Sequence, residues 1–236
     1  MSCLSSCELA SWFRGLYGDS TPKGIIFDCD GVVIDSRDAN ISYYNFLRDF
    51  LGLPHLTMEQ ETFVQAATVN QAIDAIVPKP LRPLLRDAAR HISYEKDILP
   101  RISCYPGLHD ALRLCKSAGI RTGMATNRSD GMEKLLTQCR LHGFFDPIVL
   151  ASDVPHPKPA PDGALLICSR WGARPSQLLF IGDSISDKGA ADSAGIPFLS
   201  FQTQGLAEHA IADFATLSAA FKSLTSPAMQ HFTACK

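Results

Sequence analysis

What this chain lacks narrows its chemistry first. It has no basic excess: 22 Lys and Arg stand against 24 Asp and Glu, and no block of one sign marks a charged tail. A nucleic-acid partner is therefore not expected. No apolar stretch approaches the length of a bilayer span, so a membrane partner is not expected either. There is no C-x-x-C pair, and the eight cysteines (3, 7, 29, 104, 115, 139, 168, 235) follow no regular spacing. Reduced thiols in a cytoplasmic protein fit that scatter better than a disulfide framework. The histidines show no paired metal spacing, and the nucleotide loop G-x-x-x-x-G-K-[ST] is absent. The opening M-S-C-L-S-S-C-E-L-A-S-W-F-R has no basic region followed by an apolar one, so no signal peptide is read. Residues 1–22 are expected to form a leader with one short helix through Leu9 to Leu16.

Against these absences stands Gly24 to Ser36, G-I-I-F-D-C-D-G-V-V-I-D-S. Three bulky apolar residues run into Asp28 and Asp30 before Gly31 breaks the pattern. A continuous apolar run suits a strand covered on both faces, as in a parallel sheet flanked by helices. Ligands of such sheets sit beyond the carboxyl ends of the strands, which puts both acids at the mouth of a site. Two carboxylates one residue apart repel, and a cation is their natural partner. Magnesium, which prefers oxygen ligands and phosphate, is one such partner, and a short Asp carboxylate can also serve as nucleophile. A calcium loop is disfavoured because Gly31 comes two places early and Val32 fills a ligand position. Cys29, between the acids, reads as a small apolar packer.

The following segment changes period. Asp35-Ser36 opens a helix running to Gly52, helical spacing resumes from Thr57 to Ile76, and a further helix is expected over about 84–98 after Pro78, Pro80 and Pro83. No run there alternates like a strand. From Tyr105 strand and helix alternate: strands at Ile120 to Ala125, Pro147 to Ala151, Leu178 to Ile181 and Ile196 to Phe201 are separated by helices. The class is α/β with a parallel sheet. Each of the first four strands ends in a polar group: Asp28 and Asp30, then Thr126-Asn127, then His156 to Asp162, then Asp183 to Asp187. Taken singly, Thr126, Asp183 or Ser184 could cap a helix and Lys158 could be a solvated loop residue. Four in succession at one sheet edge favour a site.

These residues resemble the haloacid dehalogenase-like hydrolases. Asp28-Cys29-Asp30-Gly31-Val32 looks like that family's first motif, Thr126-Asn127 like its second, Lys158 in K-P-A-P-D like its third, and Asp183 with Asp187 like its fourth. The resemblance implies a Rossmann-like core at 23–35 and 103–236 with an inserted helical cap at 36–102. It implies that Asp28 attacks phosphorus, that Asp30 protonates the leaving alcohol and then activates water, and that Thr126 and the backbone at Asn127 hold phosphate oxygens. Lys158 would neutralise charge on nucleophile and phosphate. Asp28, the carbonyl of Asp30, and Asp183 would hold Mg2+, with Asp187 supporting the metal or orienting Lys158. The substrate implied is a small phosphorylated metabolite, as in phosphoglycolate phosphatase-like members, and the protein a monomer or homodimer. A β-phosphoglucomutase-like mutase is the alternative, ranked lower because the cap carries Ala67-Thr68-Val69-Asn70 where mutases keep an arginine after Gly-x-Ser. A non-catalytic binding protein of the same fold is the other. Substrate contacts in the cap would come from among Arg37, Asn70, Gln71, Lys79, Arg82 and Arg86.

Overall fold

A computed structural model describes residues 3–18, 20–67, 69–129 and 131–225. Met1, Ser2 and Asp19 of the expected leader, Thr68, Asp130 at the start of an expected helix, and residues 226–236 with Cys235 lie outside the described residues. The chain folds as two compact units, one of Asp35–Ser103 and one from the segments on either side of it.

The flanking unit holds helix α1 (Ser6–Tyr17) and strand β1 (Gly24–Phe27), and the chain leaves it within β2 (Ile34–Asp35). The inserted unit holds α2 (Arg37–Phe50), α3 (Met58–Ala66), α4 (Val69–Ile76) and α5 (Leu85–Arg90). The chain returns within β3 (Ser103–Cys104) to α6 (Leu108–Ser117), β4 (Arg121–Ala125), α7 (Met132–Gln138), β5 (Ile148–Val149) and α8 (Asp162–Trp171). Then come β6 (Leu178–Gly182), α9 (Ile185–Ala194), β7 (Phe198–Phe201), β8 (Ala210–Ile211) and α10 (Phe214–Thr225).

Six strands form one sheet in the order β5-β4-β1-β6-β7-β8, every pair parallel. Numbered along the chain within this sheet, the order is 3-2-1-4-5-6, the doubly wound Rossmann arrangement. Its switch point lies between β1 and β6. Phe27 stands level with Met124 on one side and Ile181 on the other, so the segments after β1, β4 and β6 emerge together. Ile25, Ile26 and Phe27 are fully buried, as a strand covered on both faces requires.

Three elements of the flanking unit depart from expectation. β8 and α10 follow the last strand read from the sequence. α1 is longer than expected and packs on α10. Phe13 stacks on Phe221 of α10 with ring centroids 5.2 Å apart, and the Tyr17 hydroxyl donates to the Leu178 carbonyl at 2.7 Å. The helix begins where Ser5 and Glu8 close a reciprocal capping box. A helix with one fully apolar face is stable once that face is covered, and α10 covers it.

The inserted unit packs around Tyr44, Leu47, Leu56, Val64, Ala72, Ile76, Val77 and Ala88. The helical stretch from Thr57 to Ile76 is divided between α3 and α4. The helix expected over 84–98 ends at Arg90 and is followed by a single wide turn over Tyr94–Ile98. No helix among the described residues is long and apolar enough to cross a membrane.

Candidate active site

The site grows from the ends of β1, β4 and β6. Asp28 follows β1 directly and its N–H donates to the Ile181 carbonyl at 2.9 Å, which extends the ladder by one residue and aims the carboxylate off the sheet edge. The chain then turns tightly. Gly31 N–H donates to the Ile34 carbonyl at 2.9 Å, and Gly31 holds φ +80°. A Cβ at Gly31 would come within 1.9 Å of Asp183 Oδ2, so only glycine lets this loop lie against the acid after β6.

After β6, Ser184 caps α9. Its hydroxyl donates to Asp187 Oδ2 at 2.6 Å, and the same oxygen accepts the N–H groups of Asp183 and Ser184 at 3.2 and 3.1 Å. Asp187 is fully buried, and the capping box leaves its other oxygen facing inward. A Cβ on Gly182 would stand 2.3 Å from the Asp187 Cβ, so the strand must end in glycine for this packing.

Lys158 joins the two acids. Its ammonium donates to Asp28 Oδ1 and to Asp187 Oδ1, each at 2.5 Å, and its side chain is 7% exposed. The Asn127 amide clamps the lysine's backbone, donating to the Lys158 carbonyl and accepting its N–H, both at 3.0 Å. The Thr126 hydroxyl is buried and accepts the Arg128 N–H at 3.1 Å. Asp30 takes a different partner: Arg128 Nε donates to its Oδ2 at 2.7 Å and Nη2 to its Oδ1 at 3.1 Å.

Residues 25–201 match the haloacid dehalogenase-like hydrolases. The chain belongs to that family. A phosphoglycolate phosphatase of Chromobacterium violaceum is 32% identical over 181 residues, covering 73% of this chain and 82% of its own. One of Nitrosospira multiformis is 29% identical over 185 residues, covering 73% and 80%. A crystal structure of a HAD-superfamily hydrolase, subfamily IA, variant 1, from Geobacter sulfurreducens superposes with a TM-score of 0.75 at 29% identity, covering 83% of this chain and 94% of that one. The resemblance carried by the four motifs, the α/β class and the expectation of a hydrolytic enzyme agree with this membership.

In this hydrolase the carboxylate oxygens of Asp28, Asp183 and Asp187 lie within 4.8 Å of one another and form a group suited to a metal ion. The donors are all hard oxygens, the set a magnesium ion prefers. Asp30, whose backbone carbonyl the resemblance offers to the metal, has both side-chain oxygens on Arg128.

The electrostatics show the same shortage of positive charge. Burial above all, then repulsion from Asp187 and Asp183 set against attraction from Lys158, pushes Asp28 up to about 8. Burial and Asp187 push Asp183 up to about 7. Burial opposes the Lys158 charge, but Asp28 and Asp187 outweigh it and hold its pKa above the ordinary lysine value. One lysine among two buried acids and a half-buried one leaves negative charge that a bound cation would offset.

Sequence reading missed two contributions here. Arg128 follows Thr126-Asn127 directly, and nothing local ties it to an acid 98 residues earlier. The Asn127 side chain is a clamp on the Lys158 loop, whereas the sequence pointed to its backbone as a phosphate donor.

Proposed function

We propose that this hydrolase is a magnesium-dependent phosphatase that cleaves a small phosphorylated metabolite of the phosphoglycolate kind through an aspartyl-phosphate on Asp28. The observation that carries the reading is the Lys158 ammonium bridging Asp28 and Asp187 beside Asp183, at the switch point of the sheet. The names of the relatives support phosphate-ester hydrolysis and suggest the substrate.

Phosphate monoesters resist hydrolysis so strongly that enzymes accelerate it by up to about 10²¹-fold. The protein's work is therefore mostly positioning and charge stabilisation. Lys158 occupies Asp28 Oδ1 and leaves Oδ2 to attack phosphorus as the ester P–O bond breaks. The departing oxygen takes a proton from Asp30. Asp30 then accepts a proton from water as that water attacks the phosphorus of the acyl phosphate, which releases inorganic phosphate and restores Asp28. Thr126 and the N–H at Asn127 hold non-bridging phosphate oxygens. Asp187, fixed by the α9 cap, holds Lys158 on its target. Asp28, Asp183 and the Asp30 carbonyl are the proposed magnesium ligands with Asp187 behind them, and the bound ion supplies positive charge against the phosphoryl oxygens.

The test is hydrolysis of phosphoglycolate and of a generic aryl phosphate with and without magnesium, beside Asp28→Asn. The reading expects turnover that needs the metal, disappears in the variant, and leaves phosphate on Asp28 in acid-quenched wild type. Unchanged turnover in Asp28→Asn would refute it.

A further inference from the structure

The bond between Arg128 and Asp30 has no part in the reaction just described, and as it stands it obstructs that reaction. Arg128 meets Asp30 through two N–H groups at 2.7 and 3.1 Å, the planar fork that fixes a carboxylate most firmly. The side chain of Arg128 is 18% exposed. Its backbone is anchored as well: its N–H donates to Thr126 Oγ1 at 3.1 Å, and its carbonyl accepts the Ala151 N–H at 3.0 Å. The guanidinium therefore pivots from a fixed base inside the loop after β4.

While both Asp30 oxygens accept from Arg128, the carboxylate is held turned to the guanidinium rather than to a leaving oxygen. Arginine stays charged in proteins, so the fork opens only by moving. Drawing the guanidinium away from Asp30, whose side chain is 38% exposed, gives up a charge-assisted fork unless another anion receives it.

Resting on the phosphatase reading above, we infer that Arg128 is a latch and the specificity-determining residue of the site. The preferred substrate carries a second anion, a carboxylate close to the ester oxygen, which draws the guanidinium off Asp30 and frees Asp30 for proton transfer. The substrate class is thus the phosphate monoesters of small hydroxy acids. Esters with a neutral leaving group leave the latch shut. The Arg128 backbone is bonded to Thr126 Oγ1, so the guanidinium rises from the same loop as the proposed phosphate-holding hydroxyl.

The experiment compares phosphoglycolate with ethyl phosphate in wild type, Arg128→Gln and Arg128→Lys, all with magnesium. Wild type should prefer phosphoglycolate in kcat/KM by about a hundredfold or more, the scale expected when a charged, hydrogen-bonding site loses its partner. Arg128→Gln should collapse that ratio towards one, mainly by losing rate on phosphoglycolate. Arg128→Lys, which keeps the charge but not the fork, should recover part of it. A wild-type ratio near one would overturn the latch without any variant, which covers the case of a variant that fails to fold. A ratio that survives in Arg128→Gln, with both esters slowed equally, would also overturn it. Wild type that cleaves neither ester would instead overturn the phosphatase reading, and the latch with it.

Discussion

The Lys158 ammonium and the Asp28 carboxylate, 130 residues apart in the chain, meet at 2.5 Å with both side chains largely buried. A lysine so placed is the local counter-charge for acids that the fold forces together, and its removal should be felt in stability as well as in rate.

Lys158→Met should destabilise the metal-free protein by about 3–5 kcal/mol, because it leaves Asp28 and Asp187 buried without their cation. Turnover should fall by about 10²-fold or more through lost charge stabilisation. Denaturant unfolding and steady-state kinetics check the two. A variant as stable as wild type would mean that the acids do not depend on Lys158.

The raised pKa values of Asp28 and Asp183 set the sign of a pH effect in the absence of metal. An acid whose folded pKa lies above its unfolded value favours folding below the unfolded pKa and loses that contribution as pH rises through the folded one. Metal-free protein should therefore lose thermal stability between about pH 4 and pH 8, the window from ordinary carboxylates to the values of about 7 and 8 held by these two. Magnesium should remove most of the slope at its upper end. Tm measured in EDTA and in excess magnesium decides it, and parallel pH profiles would contradict the account.

Gly31→Ala should abolish activity more completely than it unfolds the protein. The substitution strains a residue at φ +80° by about 1–2 kcal/mol and drives a methyl into Asp183 Oδ2, displacing that acid. Circular dichroism beside kinetics separates the two effects. Full activity would show that the loop after β1 can relax away from Asp183.

Phe13→Ala tests the N-terminal helix. The ring is fully buried and stacked on Phe221, so its truncation should cost about 3–5 kcal/mol. A change within experimental error in chemical denaturation would mean that the Phe13 contact adds nothing to the fold.

Much of this protein is legible in its sequence because the decisive patterns are local. An apolar run ending in D-C-D-G reads as a buried strand carrying acids to a sheet edge, since burial on both faces and the glycine turn are properties of adjacent residues. The α/β alternation after Tyr105 is visible for the same reason. β8, two residues long, is too short to leave a pattern, and α10 has its counterpart in α1 at the opposite end of the chain, so pairing them needs the tertiary fold.

The amino-acid sequence alone determined the alternating strands and helices and the residue types waiting at their ends. The tertiary structure decided which of those residues meet: that Lys158 sits between Asp28 and Asp187, that the Asn127 side chain clamps the lysine's loop, and that Arg128 closes on Asp30. Side-chain partners separated by about a hundred residues depend on strand order and register, and β1 stands between β4 and β6 only once the sheet is assembled.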